Sequence, residues 1–288
     1  AEKVRELDPD YYKGWLPVAM KAVAEGDSEA ARAAYESMSG IGFRGASTAN
    51  LGLADLAIYN GDYDTARTLL QQGIAGDEAA NSQYFVATKY IALAEAELRA
   101  GNQSAAIEAL DTGLGVSARE AQSVPAALMY LELGQADKSQ EIAVGLGQQL
   151  PPIARAYGLL VDGLIALENG EHVQAIDALT SAIELADLWL ARFYRGRAFL
   201  EGGFFAEALD EFLACQARHG EATAVFLDDL PTYRYMTTLP YWLGRAQEGL
   251  GMAGEARENY TTFVGYQPGG DPLADDARQR LQKLLNFH

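Results

Sequence analysis

The sequence has little of the chemistry that most catalytic and metal sites need. It contains one cysteine, Cys215, and three histidines, His172, His219 and His288. A single cysteine excludes both an intrachain disulfide and a cysteine cluster for zinc. The histidines show neither H-E-x-x-H nor H-x3-H spacing, so they do not form a zinc motif. We therefore expect no catalytic residue, no metal and no cofactor in this chain.

Basic residues and long apolar runs are also scarce. The chain carries 22 Lys and Arg against 40 Asp and Glu, a formal net charge of -18. Because binding to a phosphate backbone depends on clustered Lys and Arg, we expect no nucleic-acid partner. No apolar run approaches the roughly 18 residues of a membrane helix, so we expect no membrane partner. The 49% apolar content is still ample for a packed core.

The sequence does contain a repeat, marked by glycines that recur at similar distances. Successive glycines of this set lie 33 to 40 residues apart, except for the last two, which are 48 residues apart. A small residue follows each glycine by five positions and a mostly bulky apolar residue follows it by nine, which is a helical spacing. The pattern predicts two helices per unit, with the glycine in the turn between them. These glycines are Gly26, Gly61, Gly101, Gly134, Gly170, Gly203 and Gly251.

The unit is clearest over residues 188–215, which resemble the tetratricopeptide repeat (TPR). That repeat is a two-helix unit of 34 residues with small and aromatic residues at fixed slots. The resemblance implies an all-α fold, a right-handed superhelical solenoid of about seven helix pairs with a C-terminal capping helix. The matching slots are Gly196, Phe199, Ala208 and Phe212.

We predict that residues 1–288 form a single TPR solenoid. An inserted segment lies at 218–237 and a capping helix at 271–286. Leu7-Asp8-Pro9 matches the end of a repeat. We therefore expect a portion excised from a longer polypeptide; the alternative is a processed chain whose first eight residues act as a cap. The exposed N-terminal repeat of an excised portion would allow self-association. The predicted repeats lie around 11–44, 45–80, 85–118, 120–151, 154–187, 188–218 and 237–268.

About the last 100 residues show a narrower resemblance. The stretches RFYRGRAFLEGGFFAEALDEF, GEATAVFLDDLPTYRY and YWLGRAQEGLGMAGEARENY resemble C-terminal TPR regions of bacterial serine/threonine kinases or winged-helix regulators. No kinase signature is present in the sequence itself. The resemblance implies a regulatory or sensor part of a larger bacterial protein. The resemblance does not determine the compartment: the chain could be cytoplasmic, or it could be an extracytoplasmic domain of a membrane protein.

In a TPR superhelix, residues of the first helix beside the small slot line a concave groove. The groove is predicted to be apolar in its middle and basic at its C-terminal end, where two arginines could bind a carboxylate or an acidic peptide. Alternatively, Arg197 and Arg245 pair locally with Glu201 and Glu248. The Lys and Asn pattern of the chaperone-tail-binding clamp is not matched. The predicted groove residues are Met20, Asp55, Glu95, Leu128, Leu164, Phe193, Arg197, Tyr241 and Arg245.

Two segments depart from the regular repeat. Gly40-x-Gly42-x-x-Gly45 matches the dinucleotide-binding glycine signature, but that signature requires a preceding strand, so we interpret the segment as an inter-repeat turn. The inserted segment carries Phe226, Tyr233 and Tyr235. These side chains either form a docking surface or fill a gap between the sixth and seventh helix pairs.

The sequence leaves two classes of function. The first is a non-catalytic protein–protein interaction scaffold that binds a peptide or protein segment in its groove. The alternative is a small-ligand sensor or an enzyme with a pocket near residues 218–237. Cys215 and His219 have the spacing of a nucleophile pair on one helix face. However, Cys215 occupies an inward slot, where a thiol behaves as a small buried hydrophobe.

Overall fold

The protein has an all-α helical-repeat fold. A computed structural model describes residues 2–226, 235, 237–266 and 272–285. These segments contain sixteen α-helices, two short 3-10 helices at Tyr12–Gly14 and His219–Phe226, and no strand. The all-α prediction is therefore confirmed, and so is the helical-repeat architecture. None of the helices in these segments combines the length and the apolar character needed to span a membrane.

After a short first helix, α1 (Glu2–Leu7), the helices of the described segments follow one another as seven pairs and a final helix. Three residues join the two members of every pair, which matches the predicted two-helix unit. The pairs are α2 (Leu16–Ala24) and α3 (Ser28–Ser39), α4 (Gly42–Tyr59) and α5 (Tyr63–Ala79), α6 (Gln83–Arg99) and α7 (Gln103–Val116), α8 (Glu120–Glu132) and α9 (Ala136–Gly147), α10 (Pro152–Glu168) and α11 (His172–Leu185), α12 (Trp189–Glu201) and α13 (Phe205–Ala217), and α14 (Leu239–Gly249) and α15 (Ala253–Tyr266), followed by α16 (Pro272–Leu285).

The turn glycines have a backbone conformation that glycine adopts without strain. All seven have a positive φ, between 70° and 82°. At the α12–α13 turn, the N–H of Gly203 donates to the Leu200 carbonyl at 3.1 Å and the N–H of Phe204 donates to the Phe199 carbonyl at 2.8 Å. This pair of bonds is the Schellman ending of a helix. The glycine therefore ends the first helix and turns the chain into the second.

The two helices of a pair are held close by small residues that face bulky ones. The residue five positions after each turn glycine is completely buried in all seven units. In three units the slot seven positions before the turn is a glycine: a Cβ placed there would lie 2.7 Å from Leu179, Phe212 or Tyr260 of the second helix. These slots are Gly163, Gly196 and Gly244. The side chain of the second helix occupies the space that a Cβ would need.

The chain divides into two compact units. The first unit covers Ala1–Met129, and the second covers Tyr130–Val225 and Arg234–His288. At the end of the second unit, Ala274 and Ala277 of α16 are buried against Tyr260 and Phe263 of α15. Helix α16 thus covers an apolar face of the last pair, as a solenoid capping helix does. One continuous solenoid over the whole chain stays a prediction.

The glycine-rich segment after α3 forms a shorter turn than predicted. Gly40 follows the last residue of α3, and α4 already begins at Gly42, which has φ +61°. Gly45 lies in the first turn of α4 and is buried. A helix, not a strand, precedes the segment, so the geometry of a dinucleotide site is not present here.

Candidate functional site

The predicted groove residues of the first unit differ in exposure. Met20, Asp55 and Glu95 are partly exposed on α2, α4 and α6. Leu128 of α8 is buried, with 4% of its surface exposed. The prediction that Leu128 lines the groove is therefore wrong, because its side chain is part of the packed core. Of the four predicted groove residues in this unit, the other three are accessible to a ligand.

In the second unit, the apolar residues of the predicted groove also belong to the core. Leu164, Phe193 and Tyr241 keep only 2 to 4% of their surface exposed. Phe193 and Tyr241 lie three positions before the small slots Gly196 and Gly244, on the helix face that packs against the second helix. Each ring centroid lies 6.1 Å from that of an aromatic side chain of the second helix. The prediction that these residues line an open groove is wrong, because their side chains are used in packing.

Arg197 combines a stacked and an ion-paired arrangement. Its guanidinium carbon lies 5.4 Å from the ring centroid of Tyr194 and 4.7 Å from that of Trp242. Its Nη2 donates to Glu201 Oε1 at 3.2 Å, which is the local pair predicted as the alternative to groove binding. The Arg197 side chain keeps 22% of its surface exposed. The guanidinium is thus held in place, its Nε is buried, and part of the Arg197 side chain stays exposed.

Arg245 has a different partner from the predicted one. Its Nη1 donates to the hydroxyl of Tyr241 at 3.0 Å, and that hydroxyl donates to Asp276 Oδ2 at 2.7 Å. Glu248, the predicted partner, instead accepts from Arg280 at 2.9 Å and from a tyrosine hydroxyl of α15 at 2.6 Å. Burial, followed by the hydrogen bond to Asp276, raises the pKa of Tyr241. Arg245 is therefore tied to the contact between α14 and α16.

Part of the inserted segment packs into an aromatic cluster. Tyr235 is buried, its ring centroid lies 5.5 Å from that of Phe193, and its hydroxyl lies 3.3 Å from the hydroxyl of Tyr194. Phe226 ends the second 3-10 helix, and only its backbone is described. Tyr233 lies outside the described residues. Tyr235 therefore fills a gap in the packing and does not form a docking surface.

Cys215 is a packed residue of α13. It is buried, and its Sγ lies 3.8 Å from the Trp189 carbonyl oxygen. Burial, followed by the nearby Glu211 carboxylate, raises the pKa of Cys215 to about 12. His219 Nδ1 lies 3.1 Å from the Gln216 carbonyl oxygen. Within the described segments, no three His, Cys, Asp or Glu side chains come together as a group that could hold a metal ion.

A pocket in the first unit was missed by the sequence reasoning. It has a volume of about 460 Å³, and we call it the basic pocket. Its residues precede or begin the first helices of successive pairs, whereas the predicted groove lies in the middle of those helices. Basic and aromatic residues close to the helix starts were the signal that could have revealed it. Those residues are Tyr12, Lys13, Arg44, Tyr84, Phe85 and Arg119.

The sequence matches no protein-family profile and no curated protein sequence. Its fold is similar to solved helical-repeat structures. In the Cut9–Hcn1 hetero-tetramer of the APC/C, the matched chain is 14% identical with a TM-score of 0.50, and the match covers 99% of this chain and 51% of that one.

Two further similar structures are TPR proteins. The TPR2AB domain of yeast Sti1 is 14% identical with a TM-score of 0.38, covering 95% of this chain and 98% of that one. A tetratricopeptide repeat protein from Parabacteroides merdae is 14% identical with a TM-score of 0.40, covering 84% and 100%. At this identity the likeness concerns the fold alone. The chain is a helical-repeat protein, and the TPR resemblance rests on the spacing of the small and aromatic residues in its two-helix units.

Proposed function

We propose that the chain is a non-catalytic protein-interaction scaffold that binds a peptide or protein segment along the first helices of its repeats. The observation that carries the proposal is Arg197, held over the rings of Tyr194 and Trp242 while part of it stays exposed. Arginine and aromatic residues are enriched among the residues that dominate binding energy at interfaces. A planar guanidinium also offers two parallel donors to a carboxylate.

The local pair with Glu201 does not prevent this role. It is an i,i+4 pair whose Glu201 side chain is 36% exposed. Such pairs contribute only about 0.3–0.5 kcal/mol. A ligand carboxylate that makes two hydrogen bonds to the same guanidinium would compete successfully with it. Because the two rings already fix the guanidinium, little side-chain entropy is lost on binding.

The partner is proposed to be an acidic segment, and the larger context a bacterial regulatory protein. The resemblance of the last third to C-terminal TPR regions of bacterial kinases and regulators supports that context. A chain of similar fold is found in the Cut9–Hcn1 hetero-tetramer, and we likewise propose a protein partner here. A pocket near residues 218–237 is not proposed, because Tyr235 is used in packing. Self-association through the N-terminal repeat stays a prediction.

A displayed random-peptide library selected on the immobilised chain tests the proposal. The variant Arg197→Gln is used for counter-selection. Arg245 is not chosen, because its guanidinium is hydrogen-bonded to Tyr241. Arg257→Gln, which changes an exposed arginine of α15, is the matched control. We expect acidic peptides to be enriched. In fluorescence anisotropy they should bind the wild type and the control at least tenfold more tightly than Arg197→Gln.

Circular dichroism establishes that all three proteins are folded before binding is compared. Equal binding of the selected peptides to all three would contradict the proposal. So would a selection on the wild type that enriches no acidic peptide over the bare support.

A further inference from the structure

We infer that the basic pocket of the first unit binds a small organic anion in which a phosphate or carboxylate is attached to a planar ring. This site is independent of the proposed peptide groove and shares no residue with it. The pocket volume of about 460 Å³ lies within the range of about 300–1,000 Å³ that is usual for small-molecule sites.

The charge of the pocket is opposite to that of the chain. Lys13, Arg44 and Arg119 line it, and none of its seven described lining residues is acidic. The whole chain carries 40 acidic residues and only 22 basic ones. The pocket lining therefore offers no carboxylate to the Arg44 or Arg119 guanidinium. Two arginines in a pocket whose lining contains no acidic residue favour an anionic ligand.

One wall of the pocket is aromatic and firmly supported. The Arg119 guanidinium carbon lies 5.9 Å from the Tyr84 ring centroid, and the Tyr84 and Phe85 centroids are 5.5 Å apart at 75°. Phe85 is buried, and Phe43 packs edge-on against it at 6.2 Å. An aromatic face beside a guanidinium suits a planar ring that bears a negative group.

A buried charged cluster lies behind this wall. Lys89 Nζ, 5.5 Å from the Phe85 ring centroid, donates to Ser47 Oγ at 2.6 Å and also to Asp77. Ser47 Oγ donates to Asp77 Oδ2 at 3.1 Å. These bonds connect α4, α5 and α6 next to the pocket. They hold the two helices that supply Arg44 and Phe85 in a fixed arrangement.

The opposite side depends on Gly45 of the glycine-rich segment. A Cβ at this position would lie 3.2 Å from the Tyr12 Cβ and 2.5 Å from the Met38 carbonyl oxygen. The missing side chain therefore allows Tyr12 to lie against the first turn of α4. Tyr12 and Lys13 are thereby brought beside Arg44. The glycine-rich segment thus contributes to a pocket without forming a dinucleotide site.

The ligand is assigned by combining these features. The anionic oxygens face Arg44 and Arg119, and the planar ring lies along Tyr84. Arg44 and Tyr84 also lie in the first turns of α4 and α6, where the helix dipole adds positive potential. A phosphate ester and a carboxylate share this chemistry, so the experiment has to distinguish them.

Isothermal titration calorimetry with four probes tests the assignment. Adenosine 5′-monophosphate and indole-3-acetate carry a ring and an anion, inorganic phosphate carries only the anion, and adenosine carries only the ring. We expect at least one of the first two to bind, at least tenfold more tightly than phosphate or adenosine. Which of the two binds more tightly identifies phosphate or carboxylate as the preferred anionic group.

Matched variants, each shown to be folded by circular dichroism, connect the binding to the pocket. Arg44→Gln/Arg119→Gln should weaken binding at least tenfold. Arg32→Gln, which changes an exposed arginine of α3 in the same unit, should leave it unchanged. Tyr84→Leu should remove the preference for the ring-bearing anions over phosphate.

Several outcomes would overturn the assignment. One is that no probe binds the wild type at millimolar concentration, and another is that phosphate or adenosine alone binds as tightly as the ring-bearing anions. A double variant that binds as the wild type does would place the ligand elsewhere. An equal loss in Arg32→Gln would indicate non-specific charge attraction.

Discussion

At the scale of single residues, the packing of each helix pair depends on a position that has no side chain or only a small one. Gly196 of α12 shows this most directly, because Phe212 of α13 occupies the space beside it. Phe212 is completely buried, so its ring has little room to move away. A larger residue at position 196 must therefore displace the ring or separate the helices.

We predict that Gly196→Ala lowers the free energy of unfolding by about 1–3 kcal/mol, the usual cost of overpacking a core. The new Cβ would lie 2.7 Å from Phe212 Cε1. Urea unfolding followed by circular dichroism measures the change. The matched control is Gly145→Ala in α9, where a Cβ meets no atom within 4 Å. At position 145, the higher helix propensity of alanine should raise the free energy of unfolding by up to about 1 kcal/mol. The packing account fails if both substitutions change stability in the same direction.

At the scale of elements, neighbouring helices are joined by a few partly buried ion pairs. Arg67 of α5 donates to both carboxylate oxygens of Glu97 in α6, at 2.6 and 3.1 Å. Asn102, in the turn after α6, donates to the same carboxylate at 2.7 Å. The Glu97 side chain is only 10% exposed. This carboxylate therefore fixes α5, α6 and the following turn together.

The pKa of Glu97 gives this contact a defined pH dependence. Hydrogen bonds from Arg67, the largest cause, lower the pKa of Glu97 against the opposing effect of burial. Because the folded pKa lies below the unfolded value of about 4.3, the contribution to stability is complete above that unfolded value. It is lost as the pH falls through the lower, folded pKa.

We predict that Glu97→Gln lowers the free energy of unfolding at pH 7 by about 1–3 kcal/mol, as expected for a lost charge-assisted hydrogen bond. The difference from wild type should shrink as the pH falls below about 4. Urea unfolding at several pH values measures it. Glu25→Gln removes an exposed i,i+4 pair with Lys21 and should cost no more than about 0.5 kcal/mol. A difference that grows towards low pH would contradict the assignment.

At the scale of the whole molecule, the net charge of -18 opposes compaction. Charges spread over the surface repel one another, and salt reduces that repulsion within a Debye length of about 10 Å at 0.1 M. Salt also weakens the surface ion pairs, but each of these is worth only about 0–1 kcal/mol. We expect the long-range repulsion to be the larger effect.

We predict that the melting temperature rises by about 2–4 °C between about 10 and 200 mM sodium chloride, corresponding to roughly 1–2 kcal/mol for a chain of this size. Differential scanning calorimetry measures the change. Sorbitol at equal osmolality is the control, since it is excluded from the protein surface without screening charge. A fall in melting temperature with salt would show that the ion pairs outweigh the repulsion.

The repeat is predictable because it depends on local rules. A positive φ favours glycine, and a close helix contact requires a small residue, so the seven turns and the slots around them can be found from spacing alone. The candidate sites are less predictable. Phe193 and Tyr241 have the expected spacing for a groove but are buried in the core. Spacing along one helix indicates a face, and it does not indicate whether a neighbouring helix covers that face.

The sequence by itself determined the all-α class, the helix pairs and the final helix, because turns and helix faces are encoded within about 34 residues. The tertiary structure decided which partners the charged side chains have in other repeats or helices. Glu248 pairs with Arg280 of α16, and Arg44 and Arg119 line one pocket although they are far apart in the chain. The physical reason is that many ion pairs and pockets are made between helices of different repeats. Their geometry depends on how those helices pack, which no single repeat specifies.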